Sequence, residues 1–113
     1  MEKKIISWPG AYGKQYEFEI FDLDVIFPAG ARGNYIFARR TPTGWDAVYI
    51  GEGILQERVQ DVVHRSHAIK KGATHIHAHF NINEYSRKAE EEDLLTVHTE
   101  AYTPKGCNVK KDG

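Results

Sequence analysis

"AVYIGEGILQERV", residues 47–59, decides the fold. A short apolar segment ends on Tyr49 and Ile50, passes through Gly51 and Gly53, and enters a segment of helical spacing that carries Arg58. Upstream, "GNYIFARR" (33–40) places Tyr35 in a second strand-like run, and "TPTGW" (41–45) has the chemistry of a turn. Residues 34–50 therefore read as a β-hairpin, with strands at 34–40 and 46–50. Tyr35 and Tyr49 fall near equivalent points of its two strands, so their rings are expected to be neighbours on one face. After the glycines, the apolar positions are Ile54, Leu55, Val59, Val62, Val63 and Ile69, a helical spacing that predicts one helix ending in the basic turn Lys70–Lys71 before Gly72.

Working outward, "YEFEIFDLDVIF" (16–27) alternates apolar and acidic side chains and predicts a half-buried strand. "PAGARG" (28–33) is turn chemistry. "ATHIHAHF" (73–80) is a further strand, with His75, His77 and His79 on one side and Ile76, Ala78 and Phe80 on the other. Asn83 is placed to cap a helix running from Glu84 to about His98. The hairpins make the expected fold α+β, a small central and mainly antiparallel sheet flanked by helices, with an extra N-terminal strand.

A chain of 113 residues is long enough for one domain and not two. Its 41% hydrophobic and 27% charged residues are ordinary for a soluble globular protein, and a core of modest size is expected. Fifteen basic and sixteen acidic residues give a net charge of −1, with no overall basic footprint of a nucleic-acid binder. The charge is unevenly spread, however. Residues 16–24 carry only acids, whereas Arg32, Arg39 and Arg40, and then Arg65, Lys70 and Lys71, allow a local positive face. The single Cys107 excludes an intrachain disulfide, and no run reaches the roughly 18 apolar residues of a membrane span. "MEKKIISWPG" lacks the apolar centre of a signal peptide, so a reducing, cytoplasmic setting is expected and no membrane partner.

Two tyrosines, an arginine and a carboxylate suit one reaction type. Arg58 lies one helical turn past Leu55, close behind Tyr49 in the chain. Glu91 precedes Leu94 and Leu95 by three and four residues, which turns it toward the sheet if 84–98 is helical. Glu90 and Glu92 compete with it for that facing. A lone carboxylate with water ligands is a usual way to hold Mg²⁺ when a substrate supplies phosphate oxygens. Arginine matches phosphate geometry and neutralises charge that builds during displacement. A tyrosine beside cations loses its proton more easily and can act as a general base toward water. Together these describe metal-assisted phosphodiester hydrolysis.

"GNY" (33–35), "YIG" (49–51), an arginine seven residues after that glycine, a helical glutamate in "RKAEEEDLL" (87–95) and a final "PKGCN" (104–108) occur in the order found in the GIY-YIG endonuclease superfamily, which the chain resembles over roughly residues 33–108. The resemblance implies a GIY-YIG nuclease-like domain over 33–113, preceded by an N-terminal extension, 1–32, with one strand packed on it. It implies a DNA endonuclease using one Mg²⁺ or Mn²⁺ ion. Tyr49 would be the general base or its close helper, supported by Tyr35. Arg58 would contact the scissile phosphate, Glu91 would ligate the metal, and Asn108 would brace the site by hydrogen bonds. The sequence departs from the pattern at Asn34, where an aliphatic residue is usual, and in a long spacing from Glu91 to Asn108. No separate DNA-binding domain is expected within these 113 residues.

Several residues have competing readings. His64 and His67 are either surface residues or within reach of a phosphate, with His64 the better candidate to assist proton transfer. Arg39, Arg40, Lys70 and Lys71 are either solvated or contacts to the nucleic-acid backbone. Three imidazoles of "THIHAH" (74–79) on one face suggest Zn²⁺, yet they span about 13 Å along a strand, too far to share one ion; a half-exposed polar face is the simpler expectation. The acidic strand 16–27 could pair at its edge with another chain and make a homo-oligomer. A catalytically inactive binding or interaction module is the alternative to the nuclease.

Overall fold

A computed structural model of the protein describes residues 3–110. Its strands are β1 (Ile5–Pro9), β2 (Gln15–Asp22), β3 (Arg32–Thr41), β4 (Gly44–Ile54) and β5 (His75–Phe80). Its helices are α1 (Leu55–Val59), α2 (Val62–Lys70) and α3 (Glu84–Val97), and a 3₁₀ turn spans Thr99–Ala101. The strands form one sheet in the order β1-β2-β5-β3-β4, and every neighbouring pair is antiparallel. The α+β expectation therefore holds, with β4 and β1 at the two edges.

The hairpin read at 34–50 is present and longer than expected, pairing Arg32 with Ile54 at one end and Thr41 with Gly44 at the turn. Two cores flank the sheet. One packs α1, α2 and Phe27 against Tyr35, Phe37 and Ile76. The other packs Leu94 of α3 with Trp8, Phe18, Ile36 and Ile50. Burial of each such large apolar side chain contributes about 1.5–3 kcal/mol.

Residues before Arg32 form two strands rather than one. β2 stops at Asp22, the last residue paired with β5, instead of running to Phe27. The chain then loops back and drops Phe27 into the core at 2% exposure. The acidic strand is also interior to the sheet: β1 and β5 pair with its two sides, so the free N-terminal edge belongs to β1.

The helix expected over 54–70 is broken at Gln60–Asp61. The Asp61 carboxylate accepts a hydrogen bond from His64 N at 3.0 Å and starts α2 afresh. The break rotates the buried face. Leu55 and Val59 enter the core, while Val62 and Val63, counted in the apolar pattern, stand about three-quarters exposed at 77% and 74%. At the N-terminus of α3, the Asn83 side chain accepts from Ser86 N at 2.8 Å, so that cap holds.

Two of the histidines of β5, His75 and His79, are half-exposed as expected, but His77 between them is not. His77 lies opposite Ile36, fully buried, and its Nδ1 accepts a hydrogen bond from Trp8 Nε1 at 3.0 Å. His77 sits mid-strand between β2 and β3 and beneath the Trp8 ring, which covers it. Among the described residues no group of three or more His, Cys, Asp or Glu is arranged to hold a metal ion. No helix among them is long and apolar enough to cross a membrane.

Candidate active site

The residues singled out around the hairpin meet at the edge strand β4. Tyr35 and Tyr49 project toward the α1/α2 side of the sheet. Tyr35 lies opposite Gly51, and Tyr49 lies opposite Phe37. Their rings stack diagonally across the hairpin with centroids 6.0 Å apart and planes inclined by 22°. On α2, the His64 ring approaches Tyr49 at 5.4 Å, so the Tyr49 ring lies between Tyr35 of β3 and His64 of α2. His64 rather than His67 is the histidine against the tyrosine.

Gly51 and Gly53 have steric reasons. A side chain at Gly51 would place its Cβ 2.4 Å from the Tyr35 hydroxyl. Gly53 has φ +137°, a region that favours glycine, and a Cβ there would sit 3.0 Å from Arg58 Nε. The two glycines let the Tyr35 phenol and the Arg58 side chain lie against bare backbone.

An open groove of about 1100 Å³ runs along β4, lined among others by Tyr49, His64, Glu91, Lys88 and Asn108. Glu91 comes from α3, which covers the opposite face of the sheet from the tyrosines. It shares the groove because β4 has no strand beyond it. A second groove, about 450 Å³, adjoins the first through Glu52 and His64 and contains Arg58.

Asn108 takes the place of a neighbouring strand. Its Oδ1 accepts from Ile50 N at 2.8 Å, and its Nδ2 donates to Ile50 O at 2.9 Å. Cys107 N donates to Val48 O at 2.8 Å. The C-terminal loop thus closes the β4 edge on either side of Tyr49, a bracing position despite the long spacing from Glu91.

The three adjacent glutamates separate by facing. Glu90 is buried on the sheet side of α3, near Asn81, Ser86 and His79 (3.6 Å to Nε2). Glu91 and Glu92 line the large groove, and Glu92 is the exposed one.

Charge and burial oppose each other at the tyrosines. Burial pushes the Tyr35 hydroxyl pKa far above the usual range of a phenol. Burial also raises Tyr49; the hydrogen bond from Tyr35 and the Arg58 guanidinium pull it down, and Glu91 pushes it up. Easier proton loss, expected of a tyrosine beside cations, is outweighed by desolvation in the protein alone.

The four residues expected to touch a nucleic-acid backbone lie elsewhere. None of Arg39, Arg40, Lys70 and Lys71 lines either groove. Arg39 pairs with Asp46 at 2.6 Å, Arg40 stacks over Trp45 at 5.1 Å, and Lys71 Nζ donates to Pro104 O at 2.6 Å. Arg39, Arg40 and Lys71 thus each have a partner within the fold, and Lys70 is exposed.

A buried polar cluster that no sequence motif marks lies beneath the grooves. Asn34 faces away from Tyr35, as strand alternation requires, and its Nδ2 donates to Arg87 O at 2.8 Å. Arg87, 6% exposed, holds Glu52 at 3.4 Å and donates from Nη1 to Asn81 O at 3.2 Å. The available signal was its place one helical turn before Glu91, on the same side of α3.

Compared with known proteins, the chain matches no family model, no curated protein and no solved structure.

Proposed function

We propose that this protein is a GIY-YIG-like endonuclease that hydrolyses DNA phosphodiester bonds with the help of one divalent metal ion. The observation that carries the reading is convergence. Tyr49, His64, Glu91 and Asn108 come from β4, α2, α3 and the C-terminal loop, yet they line one groove, with Arg58 in the groove beside it. The order of "GNY", "YIG", Arg58, Glu91 and "PKGCN" in the chain supports the same reading.

In this reading Arg58 binds the scissile phosphate and offsets its growing charge. Tyr49 takes a proton from the attacking water. The Tyr35 hydroxyl, donating to Tyr49, stabilises the phenolate that this requires. His64, packed on the Tyr49 ring, is placed to pass the proton on to solvent. Asn108 fixes the β4 backbone at Ile50 and so the position of Tyr49.

The donor set fits Mg²⁺ or Mn²⁺: one carboxylate, Glu91, in an open groove, with the other ligand positions left to water and phosphate oxygens. Such an ion would neutralise charge on the phosphate and favour loss of the attacking water's proton.

A non-catalytic binding module is the second reading. It is favoured by burial holding both tyrosines in their neutral form. Incubation with supercoiled plasmid and branched DNA separates the two. Nicking that needs Mg²⁺ or Mn²⁺, stops with EDTA and disappears in Glu91→Ala is the expected result. A folded protein that neither nicks any of these substrates nor binds Mn²⁺ would select the module.

A further inference from the structure

α3 carries Glu91, yet little of its grip on the sheet is apolar. Its buried residues are Arg87, Glu90 and Leu94, with Leu95 partly buried beside Leu94. Both leucines lie in the second half of the helix, so apolar contact anchors one end and leaves the turns before it to polar groups. There Arg87 reaches three elements at once. Its backbone O accepts from Asn34 Nδ2 of β3 at 2.8 Å, its Nη1 donates to Asn81 O ahead of the helix at 3.2 Å, and its Nε faces Glu52 Oε1 of β4 at 3.4 Å. Glu91 stands between the two anchors, one turn after Arg87 and one turn before Leu94, on the same side of the helix.

Stability does not account for this pair. The Arg87 and Glu52 side chains are 7% and 14% exposed, and Nε and Oε1 meet as charges without a hydrogen bond. Taking two charges out of water offsets much of their attraction, and a well-packed neutral pair of similar volume often does as well. Apolar contact, however, has no direction. A guanidinium held by partners on β3, β4 and the β5–α3 connection fits one placement of the helix, and fixing register is a use that such buried pairs serve.

We propose that Arg87 and Glu52 are positioning residues for Glu91: their contact sets the placement of α3 along the β4 edge, and with it the metal carboxylate in the groove that Tyr49 lines. The inference rests on the nuclease reading and adds two residues to it. Tyr49 and Glu91 belong to opposite layers of the fold, so their relative position depends on a link through the sheet. Glu52 follows Tyr49 on the same strand and, by alternation, projects to the α3 face beside its cross-strand partner Asn34. From Tyr49 along β4 to Glu52, across to Arg87 and through one turn of α3 to Glu91, that link is continuous. In this role neither Glu52 nor Arg87 touches the reacting atoms.

The test is Mn²⁺ binding without DNA, read from loss of the free-ion EPR signal, beside urea midpoints and plasmid-nicking kinetics. Glu91→Ala should lose Mn²⁺ binding, which identifies the site being read. Arg87→Lys keeps the charge and loses the planar fork. It should weaken Mn²⁺ binding roughly tenfold, as removal of a group that orients a metal ligand does. It should also lower kcat more than it changes KM for DNA. Glu52→Gln combined with Arg87→Met replaces both buried charges by neutral side chains of similar size. Its urea midpoint should match or exceed that of the unaltered protein, while Mn²⁺ affinity and kcat stay as low as in Arg87→Lys. A purely structural role would give the opposite, with affinity and kcat returning along with stability. Unaltered Mn²⁺ affinity and kcat in either variant would overturn the positioning role and leave the nuclease reading intact. An unaltered protein that binds no Mn²⁺ and nicks no DNA would remove both.

Discussion

Gly51 and Tyr35 are directly opposed across the β3–β4 hairpin, and the Tyr35 hydroxyl lies 2.4 Å from where a Cβ on Gly51 would stand. Tyr35 is 1% exposed and has nowhere to retreat. Gly51→Ala is therefore expected to displace the phenol, cost about 1–3 kcal/mol as overpacking does, and disturb Tyr49, which stacks on that ring. Urea unfolding should show the lower midpoint, and cleavage should fall beyond what the remaining folded fraction explains. An alanine variant of unaltered stability would refute the steric account.

The Tyr35 hydroxyl favours the Tyr49 phenolate by donating to it. Tyr35→Phe removes that donor, so the Tyr49 pKa rises further. In the proposed mechanism Tyr49 is the general base; such a base works in its deprotonated form, and the rate climbs with pH up to its pKa. The pH–rate profile of Tyr35→Phe should move to higher pH. Activity at neutral pH should drop roughly tenfold for every pH unit the profile moves, and recover in alkali. An equal loss at every pH would mean that Tyr35 acts only by packing.

His77 makes folding sensitive to acid. Burial lowers its pKa to about 3 in the folded protein, against an ordinary 6.5. Between those values the unfolded chain binds the proton and the folded protein does not, so stability is complete above about 6.5 and falls as pH drops. The slope from this one residue is about 1.4 kcal/mol per pH unit. His77→Asn keeps an acceptor for the Trp8 indole and cannot titrate. Urea midpoints between pH 6.5 and 5, above most carboxylate titration, should fall for the natural protein and stay flatter for the variant. Parallel profiles would show that His77 is not the group responsible.

Asn108 supplies both a donor and an acceptor to Ile50 at the open edge of β4. Asn108→Ala leaves both Ile50 backbone groups without those partners, at a cost of about 1–3 kcal/mol. Hydrogen exchange at the Ile50 amide should accelerate more than at Ile36, opposite it on β3. Equal protection at Ile50 in both proteins would contradict the bracing role.

By itself the sequence determined the hairpin, β5 and α3, and the facing of side chains within them. Alternation placed Asn34 and Tyr35 on opposite sides of β3, the "TPTG" turn set the hairpin, and Asn83 capped α3. These follow from nearest-neighbour chemistry, which a single strand or helix carries in its own residues. What only the tertiary structure decided was the partner of each element. The acidic strand became interior because β1 folds back over it, and His77 became buried because β5 sits between β2 and β3. The helix that periodicity alone would have continued breaks at Gln60, Asp61 caps a new one, and of its apolar residues Leu55 and Val59 enter the core while Val62 and Val63 do not. Likewise, Glu91 and Tyr49 belong to opposite layers and share a groove only because β4 is an edge. Periodicity within an element says which way a side chain points; it carries no information about which distant element, or open edge, lies in that direction.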